Sequence, residues 1–194
     1  KISMGINTHY DAVWQAAELG DKCLPPDLPD RYAVASIHRY ENIFNVQRLE
    51  GVVTWTIERA SEKIPILFVL HPATRRVLGR SGVYPRLQAN PNILLRKRYD
   101  FFSFIAVLSR TEFVVTDGGS NQEELYYLGL PCLLLRKATE QHEGLGTNAV
   151  LSRYERETIE RFLDNYEDYR TDPLRLDYSP SCIACDFVSE LASA

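Results

Sequence analysis

Short runs of apolar residues recur along the chain, and each run is followed by polar residues, glycine or proline. The runs are continuous rather than alternating, which is typical of strands that are buried on both faces of a parallel sheet. They cover residues 32–37, 66–70, 93–95, 113–116, 132–135 and, more weakly, 149–151. The pattern therefore predicts six short strands.

Helical periodicity fills the intervals between the runs. Over residues 46–60, the apolar side chains fall on one stripe of a helix, at Val46, Leu49, Val53, Ile57 and Ala60. Shorter helices are predicted over residues 101–108, 122–128 and 159–166. Because strands and helices alternate, we expect an α/β fold with a parallel sheet and helices on both of its faces. The crossovers between strands should be right-handed.

Two flanking segments lie outside this alternation. Residues 7–19 are predicted to form a helix that is capped by Asn7 or Thr8 and ends at Gly20. Prolines at positions 25, 26 and 29 then predict a stiff linker. We therefore expect a lead-in helix and linker over residues 1–30, and one domain over residues 31–194 that closes with a helix from Pro180.

Length and charge narrow the classes of function. The chain has 194 residues, which is enough for one domain with its own hydrophobic core. Its 22 Lys and Arg are outnumbered by 26 Asp and Glu, so nucleic acid is not an expected partner. No apolar run is long enough to cross a membrane, and no signal peptide is recognisable. We therefore expect a cytoplasmic protein, and the lack of an initiator Met indicates an excised piece or a processed product.

The strongest chemical signal follows the fourth apolar run. Gly118 and Gly119 occupy the predicted turn between a strand and a helix, where the missing side chains leave room for a ligand. The free backbone N–H groups of a helix start favour an anion, and ligands of open α/β sheets bind beyond the carboxyl ends of strands. Glu124, one turn further, could accept hydrogen bonds from two vicinal ribose hydroxyls. The alternative is a plain tight turn that is capped by Ser120 or Asn121.

Polar residues also follow the first two apolar runs. His38, Arg39 and Glu41 come directly after the first run, and His71 with Pro72 follows the second. Histidine and arginine at a strand end are suited to phosphate binding or acid–base work. The alternatives are a structural role for His38 and a helix cap for His71. Since the carboxyl ends of parallel strands share one edge of the sheet, these signals should meet at one site.

The remaining candidates carry weaker signals. The polar segment 135–146 is long enough to line a ligand. Aromatic residues stand at positions 99, 101, 102 and 104. We expect at least two of them in the core and one against a base. Cys182 and Cys185 are spaced like a metal-binding pair, but a structural zinc site needs about four ligands, so no metal or other cofactor is expected. Neither a Walker A motif nor a Gly-x-Gly-x-x-Gly fingerprint is present.

The order of these motifs resembles that of the non-hydrolysing UDP-N-acetylglucosamine 2-epimerases. That family carries a His-Arg-x-Glu-Asn loop, a Val-His-Pro-like turn and an Asp-Ser-Gly-Gly-x-Gln-Glu-Glu segment, followed by Leu-Gly-x-Pro and Leu-Arg-x-x-Thr-Glu-Arg-Pro-Glu. The counterparts here are residues 38–42, 70–72, 117–124, 128–131 and 135–143. Residues 5–11 resemble the stretch that joins the two halves of the family's proteins.

The resemblance implies a Rossmann-like domain that corresponds to the C-terminal half of a GT-B-like two-domain fold. It also implies a UDP-sugar ligand, with UDP-N-acetylglucosamine expected, and inversion at C2 through elimination of UDP and its re-addition. The family's acid–base carboxylates lie in the N-terminal half, so the present chain alone is expected to be inactive. Homodimer formation and a place in polysaccharide biosynthesis are further expectations.

Individual residues receive roles from the same resemblance. His38 would be the catalytic residue, facing the diphosphate and the reacting sugar. Glu124 would bind the ribose, Phe104 would lie by the uracil, and the glycine turn with Ser120 would hold phosphate. The predicted substrate-binding set is His71, Phe104, Gly118, Gly119, Ser120, Glu124 and Arg136.

The chain departs from the family pattern in two motifs. Gly118 stands where the family has Ser, Ser120 stands where it has the second Gly, and Gln141 with His142 replaces Arg-Pro. The last change removes a cation beside the expected ligand. Two other interpretations therefore stay open, the donor-binding half of a GT-B glycosyltransferase and a non-catalytic module that binds nucleotide sugars.

Overall fold

The computed structural model describes residues 3–193, apart from the side chain of Asp21, and this part of the chain contains one six-stranded sheet. The strands are β1 Ala33–Ser36, β2 Ile66–Leu70, β3 Ile93–Lys97, β4 Val114–Thr116, β5 Cys132–Leu134 and β6 Ala149–Leu151. Their order is β3-β2-β1-β4-β5-β6, and every neighbouring pair is parallel. All six predicted strands and the parallel α/β sheet are confirmed.

Helices occupy the intervals between consecutive strands from β1 to β5 and flank the sheet at both ends of the described chain, whereas β5 and β6 are joined by a loop. They are α1 His9–Leu19, α2 Tyr40–Ile43, α3 Val46–Val52, α4 Arg59–Ser61, α5 Pro72–Ser81, α6 Val83–Ala89, α7 Phe101–Leu108, α8 Gly119–Leu128, α9 Arg156–Asp164 and α10 Pro180–Ser193. A π-helical stretch, Val53–Glu58, joins α3 to α4, and short 3₁₀ helices lie at Gly20–Cys23 and Tyr166–Tyr169. No helix within residues 3–193 is both long enough and apolar enough to cross a membrane. The predicted last helix extends to residue 194, which lies outside the described residues.

The structure differs from the sequence pattern mainly after β2 and β4. Two helices that the periodicity did not specify, α5 and α6, lie between β2 and β3 and meet at Gly82, which has φ 75°. Pro72 favours the start of α5, because the first position of a helix does not need an N–H donor. Helix α8 begins three residues earlier than the predicted helix over residues 122–128, with Gly118 as its N-cap, so Ser120 and Asn121 are not caps.

Two layers of buried apolar residues cover the two faces of the sheet. Within β1, Ala33 and Ala35 point into one layer and Val34 into the other, as the alternation of a strand requires. Residues of α3, α5, α6 and α9 complete the first layer, and residues of α1, α7 and α8 complete the second. Helices therefore lie on both faces, as predicted. Helix α1 packs into the second layer through Tyr10 and Val13.

The sheet reverses its strand order between β1 and β4, which are neighbours although β2 and β3 come between them in sequence. Ser36 pairs in register with Thr116, and Thr116 with Leu134, so β1, β4 and β5 end at the same level. A crevice forms beyond the carboxyl ends of strands at such a reversal, since the connections leave toward opposite faces. This edge carries the polar segments singled out above.

Candidate functional site

A cavity of about 540 Å³ opens at this edge of the sheet. Its volume lies within the range of roughly 300–1,000 Å³ that is typical of small-molecule sites. Seven of the eight predicted site residues line it, namely His38, His71, Phe104, Gly118, Gly119, Ser120 and Glu124. The predicted convergence of the strand-end motifs is therefore observed.

The loop after β1 is held in place by Asp117, whose side chain is fully buried. Its carboxylate accepts hydrogen bonds from the backbone N–H of His38, at 3.0 and 3.2 Å, and from that of Arg39, at 2.9 Å. The side-chain amide of Asn42 donates a further bond of 2.8 Å. A buried carboxylate needs such donors because a charge without partners is costly away from water. Asp117 thereby fixes the position of His38 at the cavity.

Asn42 extends this network to two more loops. It is fully buried, its amide also donates to the carbonyl of Leu135 at 3.0 Å, and its Oδ1 accepts from the hydroxyl of Tyr154 at 2.6 Å. Tyr154 follows β6 in the left-handed region, with φ 63°. That conformation costs about 1–3 kcal/mol for a non-glycine residue. The loops after β1, β5 and β6 are thus joined through one buried amide.

Two histidines lie side by side in the cavity wall. The ring centroids of His38 and His71 are 5.8 Å apart, with an interplanar angle of 29°. The His38 side chain is 39% exposed, and its Nδ1 lies 3.4 Å from Oδ1 of Asp117. Nδ1 of His71 accepts a bond of 3.4 Å from the N–H of Ala73, so His71 caps α5 and lines the cavity at once. Burial lowers the pKa of His71, and the charges of Arg98 and His38 lower it further.

The turn from β4 into α8 carries unpaired backbone N–H groups at the cavity wall. Oγ1 of Thr116 accepts a bond of 3.1 Å from the N–H of Gly118, whereas the N–H groups of residues 119–121 have no acceptor within residues 3–193. Helix α8 has ten residues, so its dipole adds partial positive charge to these donors. A helix start of this kind is suited to a phosphate or another anion.

Gly118 is required at this turn by lack of space rather than by backbone conformation. Its φ of −83° is accessible to any residue. A Cβ at this position would lie 2.9 Å from Oδ1 of Asn121 and 3.0 Å from Cε1 of His38. Asn121 cannot yield easily, because its Oδ1 accepts a bond of 2.8 Å from Oγ1 of Thr116. The serine of the family pattern would therefore not fit here without a shift of its neighbours.

Glu124 lines the cavity from the second turn of α8 and is only 4% exposed. Asn121 donates a bond of 2.8 Å to its Oε2, and Nε2 of His9 lies 3.3 Å from its Oε1. A carboxylate has about four acceptor positions, so it can still accept bonds from ligand hydroxyls. His9 stands 115 positions earlier in the chain, and no motif around it indicated this contact.

Arg136, the eighth predicted residue, does not line the cavity but is buried and paired within its own loop. Its Nη2 donates to Oε2 of Glu140 at 2.6 Å, and its Nη1 donates to Thr139 at 3.2 Å. The bond from Arg136 is the main cause that lowers the pKa of Glu140 to about 2. Arg39 donates to the other oxygen of Glu140 at 3.1 Å. The arginines in the cavity wall are Arg39 and Arg98, which the predicted set omitted.

Three aromatic side chains, Tyr99, Phe101 and Phe104, form part of the cavity wall. All three are partly buried and pack against the second core layer, whereas Phe102 is 44% exposed. None of the four is fully buried, so the expectation of two core aromatics is met only by partly buried rings. Such rings have one side on the core and another on the cavity, where a flat base could stack.

Cys182 and Cys185 are free thiols on the exposed surface of α10. Across the described part of the chain, no three His, Cys, Asp or Glu side chains are grouped to hold a metal ion. The polar groups that line the cavity are imidazole, guanidinium, carboxylate, hydroxyl, amide and backbone N–H groups.

Known proteins resemble this chain in both amino-acid sequence and fold. The model of the UDP-N-acetylglucosamine 2-epimerase family matches residues 5–177. The UDP-N-acetylglucosamine 2-epimerase of Methanocaldococcus jannaschii is 31% identical over 158 residues, which cover 77% of this chain and 43% of that protein. The UDP-2,3-diacetamido-2,3-dideoxy-D-glucuronate 2-epimerase of Pseudomonas aeruginosa is 32% identical over 111 residues, which cover 57% of this chain and 30% of that protein.

A solved structure extends the comparison. The crystal structure of Methanocaldococcus jannaschii UDP-GlcNAc 2-epimerase in complex with UDP-GlcNAc and UDP superimposes with a TM-score of 0.80 at 25% identity, covering 94% of this chain and 53% of that one. The present chain thus spans about half the length of that structure and less than half of the curated relatives it matches. Its fold corresponds to the C-terminal half of a GT-B-like protein. With the family model matching most of its length, the chain belongs to the UDP-N-acetylglucosamine 2-epimerase family.

Proposed function

We propose that this domain binds the UDP part of a UDP-sugar and forms the nucleotide half of a 2-epimerase active site. The observation that carries the proposal is a single cavity that joins the start of α8, with its unpaired N–H groups, to a buried carboxylate, Glu124. Both groups belong to α8, so the distance between them is set by a rigid element. A nucleoside diphosphate needs two such contacts, one for its phosphates and one for its ribose.

The diphosphate would lie at the start of α8. Unpaired N–H groups of residues 119–121 supply directional donors there, and the helix dipole favours the negative charge. His38, Arg39 and Arg98 add donors along the same wall. These local positive groups allow a chain with a net charge of −4 to bind an anionic ligand.

The nucleoside would lie between Glu124 and the aromatic wall. Vicinal hydroxyls of the ribose would donate to the Glu124 carboxylate, which is already oriented by Asn121. The uracil would pack against Phe104, with Phe101 beside it. Phosphate, ribose and base would then occupy successive parts of one cavity.

Catalysis would require more than this chain provides. Inversion at C2 by elimination of UDP needs a base for the C2 proton and a group that stabilises the departing diphosphate. His38 is suited to the second role, because its ring lies beside the helix start that would hold the diphosphate. The proton-transfer carboxylates would come from the other half of the protein, so the present chain alone should not turn over substrate.

The sugar is proposed from the relatives rather than from contacts within this chain. UDP-N-acetylglucosamine is the proposed substrate, since the Methanocaldococcus jannaschii structure contains it. The Pseudomonas aeruginosa relative is named for another UDP-sugar, although its identity to this chain is similar. Binding of UDP can therefore be measured directly on this chain.

Calorimetric titration of UDP and of inorganic phosphate tests the two-part site. Glu124→Gln removes the charge of the ribose acceptor, and a hydrogen bond to a charged group is worth about 1.5–3 kcal/mol. UDP should therefore bind roughly ten- to a hundredfold more weakly, while phosphate binding should be unchanged or slightly tighter. Gly119→Val should weaken both ligands, because the branched side chain would extend beyond a Cβ that already lies 3.4 Å from Cγ of Gln141 and would crowd the anion site.

Glu157→Gln is a matched control, since Glu157 is an exposed first-turn carboxylate of α9 and does not line the cavity. It should leave both affinities unchanged. A folded Glu124→Gln variant with wild-type affinity for UDP would refute the ribose contact. Phosphate binding that survives Gly119→Val unchanged would refute the anion site.

A further inference from the structure

The first residue of α1 contacts the proposed ribose-binding carboxylate. Nε2 of His9 lies 3.3 Å from Oε1 of Glu124, and the His9 side chain is 25% exposed. Its ring also lies against Phe101, with centroids 5.8 Å apart and an interplanar angle of 50°. Phe101 and Glu124 both line the cavity, so His9 contacts two residues of the cavity wall.

The position of His9 is itself well defined. Oδ1 of Asn7 accepts a hydrogen bond of 3.0 Å from the backbone N–H of His9, which fixes the start of α1. The rest of α1 is anchored in the second core layer by Tyr10, Val13 and Ala16. His9 therefore presents its imidazole to Glu124 from a rigid backbone.

The two oxygens of Glu124 have different partners. Oε2 is bonded to the side-chain amide of Asn121, within the same helix. Oε1 has His9 as its hydrogen-bonding partner among residues 3–193. Without His9 the carboxylate would be held at one oxygen only and could rotate about its terminal torsion, which has a broad energy minimum.

We propose that His9 is a positioning residue, which orients the Glu124 carboxylate toward the vicinal hydroxyls of the ribose and thereby makes recognition of the ribose dependent on the charge of His9. This inference rests on the proposed function, because the proposed function assigns the ribose contact to Glu124. It adds a role for α1, a segment that contributes no residue to the predicted site.

The surroundings of His9 favour its protonated form. The charged groups that face it are Glu124 and Glu123, both from α8, while α7 contributes the uncharged ring of Phe101. The hydrogen bond to Glu124 is the largest cause of a raised pKa for His9, and burial opposes it. A protonated His9 is a stronger, charge-assisted donor to the carboxylate. This contact is fully present below the ordinary pKa of histidine and weakens as the pH rises through the raised value.

The test compares UDP with its 2′,3′-dideoxy analogue, which keeps the phosphates and the base but lacks the ribose hydroxyls. The ratio of the two affinities isolates recognition of the ribose and cancels the titration of the phosphates. In the wild-type chain the affinity for UDP divided by that for the dideoxy analogue should fall several-fold as the pH rises from below the ordinary pKa of histidine through the raised pKa of His9.

His9→Phe keeps an aromatic ring against Phe101 but removes the hydrogen bond. It should lower the affinity for UDP about five- to tenfold, leave the dideoxy analogue unaffected, and abolish the pH dependence of the ratio. His9→Gln retains a neutral donor and should restore part of the affinity without the pH dependence. Gln15→Phe is the control, because Gln15 is an exposed residue of the same helix, and it should bind both ligands as the wild type does.

The outcomes separate this inference from the proposed function. If Glu124→Gln weakens UDP binding while His9→Phe preserves both the affinity and its pH dependence, the role of His9 is refuted and the proposed function stands. If Glu124→Gln has no effect on UDP, the proposed function itself fails. Should His9→Phe not fold, NMR titration of His9 decides instead: its pKa must be lower in the Glu124→Gln variant than in the wild type, and equal values would overturn the inference.

Discussion

Two loops border the same cavity, and in each region one carboxylate accepts several hydrogen bonds, yet the two carboxylates lie in opposite environments. Asp117 holds the loop after β1 and has no exposed surface. Glu140 lies in the loop after β5, and its side chain is 61% exposed. Asp117 accepts from two backbone N–H groups and one buried amide, whereas Glu140 accepts from the guanidinium groups of Arg39 and Arg136.

The difference in burial between Asp117 and Glu140 indicates how much each carboxylate contributes to fixing its loop. Breaking the buried network leaves donors without partners where water does not reach, so the loop after β1 is held strongly. The ion pairs of an exposed carboxylate contribute little, so Glu140 adds little to the loop after β5, whose backbone carbonyls at Gln141 and Glu143 accept hydrogen bonds from the buried amide of Gln122. The firm loop carries His38, which is the proposed group at the reacting centre. The loop after β5 carries Gln141, where the chain departs from its family.

The largest effect should come from Asp117→Ala. The substitution leaves the N–H groups of His38 and Arg39 and the amide of Asn42 without their acceptor, and removing one partner from a buried charged network typically costs about 3–5 kcal/mol. Urea denaturation followed by circular dichroism would measure the loss. Asp177→Ala, at an exposed carboxylate without such bonds, should change the free energy of unfolding by less than about 0.5 kcal/mol. Equal losses in the two variants would contradict the assigned network.

Tyr154→Phe should have an intermediate effect. It removes the hydroxyl that donates to Asn42 but keeps the ring, and a hydrogen bond of this kind contributes about 1 kcal/mol. The backbone at Tyr154 remains left-handed in the variant, so the strain there is unchanged. A double-mutant cycle with Asn42→Ala would isolate the pair. A coupling energy near zero would show that the loop after β6 is independent of the buried network.

Glu140→Gln should have the smallest effect at pH 7, below about 1 kcal/mol, because the Glu140 side chain is mostly exposed to solvent and a glutamine oxygen can still accept a bond from Arg136. The folded pKa of Glu140 is about 2, compared with an ordinary value of 4.5. Its contribution is therefore fully present above pH 4.5 and is lost as the pH falls toward 2. The stability difference between wild type and variant should shrink over that interval. A loss as large as that of Asp117→Ala would remove the contrast between the two loops.

The elements that the sequence specifies locally were predicted well. Each strand overlaps the apolar run that predicted it, although β3 also includes Arg96 and Lys97, and burial of the central strands on both faces leaves that signature. The meeting of His38, His71 and Gly118 followed from topology, since parallel strands end at one edge. The helices α5 and α6 were not specified because their buried surface is small, with Thr74 and Leu78 as the buried residues of α5.

The sequence pattern did not predict which way individual side chains point or what they contact. Arg136 was expected in the substrate-binding set from its motif, but Glu140, four residues later, pairs with it inside the loop. His9 and Glu124 are 115 positions apart and meet only because α1 packs beside α8. Such contacts depend on how helices pack in three dimensions, and a single sequence carries no local periodicity for them.

The narrow space around Gly118 has a consequence for how this sequence can change over evolutionary time. A Cβ there would collide with Asn121 and His38, which belong to two different motifs. Replacing the glycine with the serine of the family pattern would therefore become tolerable only after one of those partners had moved or been substituted. The family pattern has a histidine at the position of His38 together with its serine, so positions 118 and 121 should exchange residues together along lineages, and the order of the two substitutions should decide which intermediates remain folded.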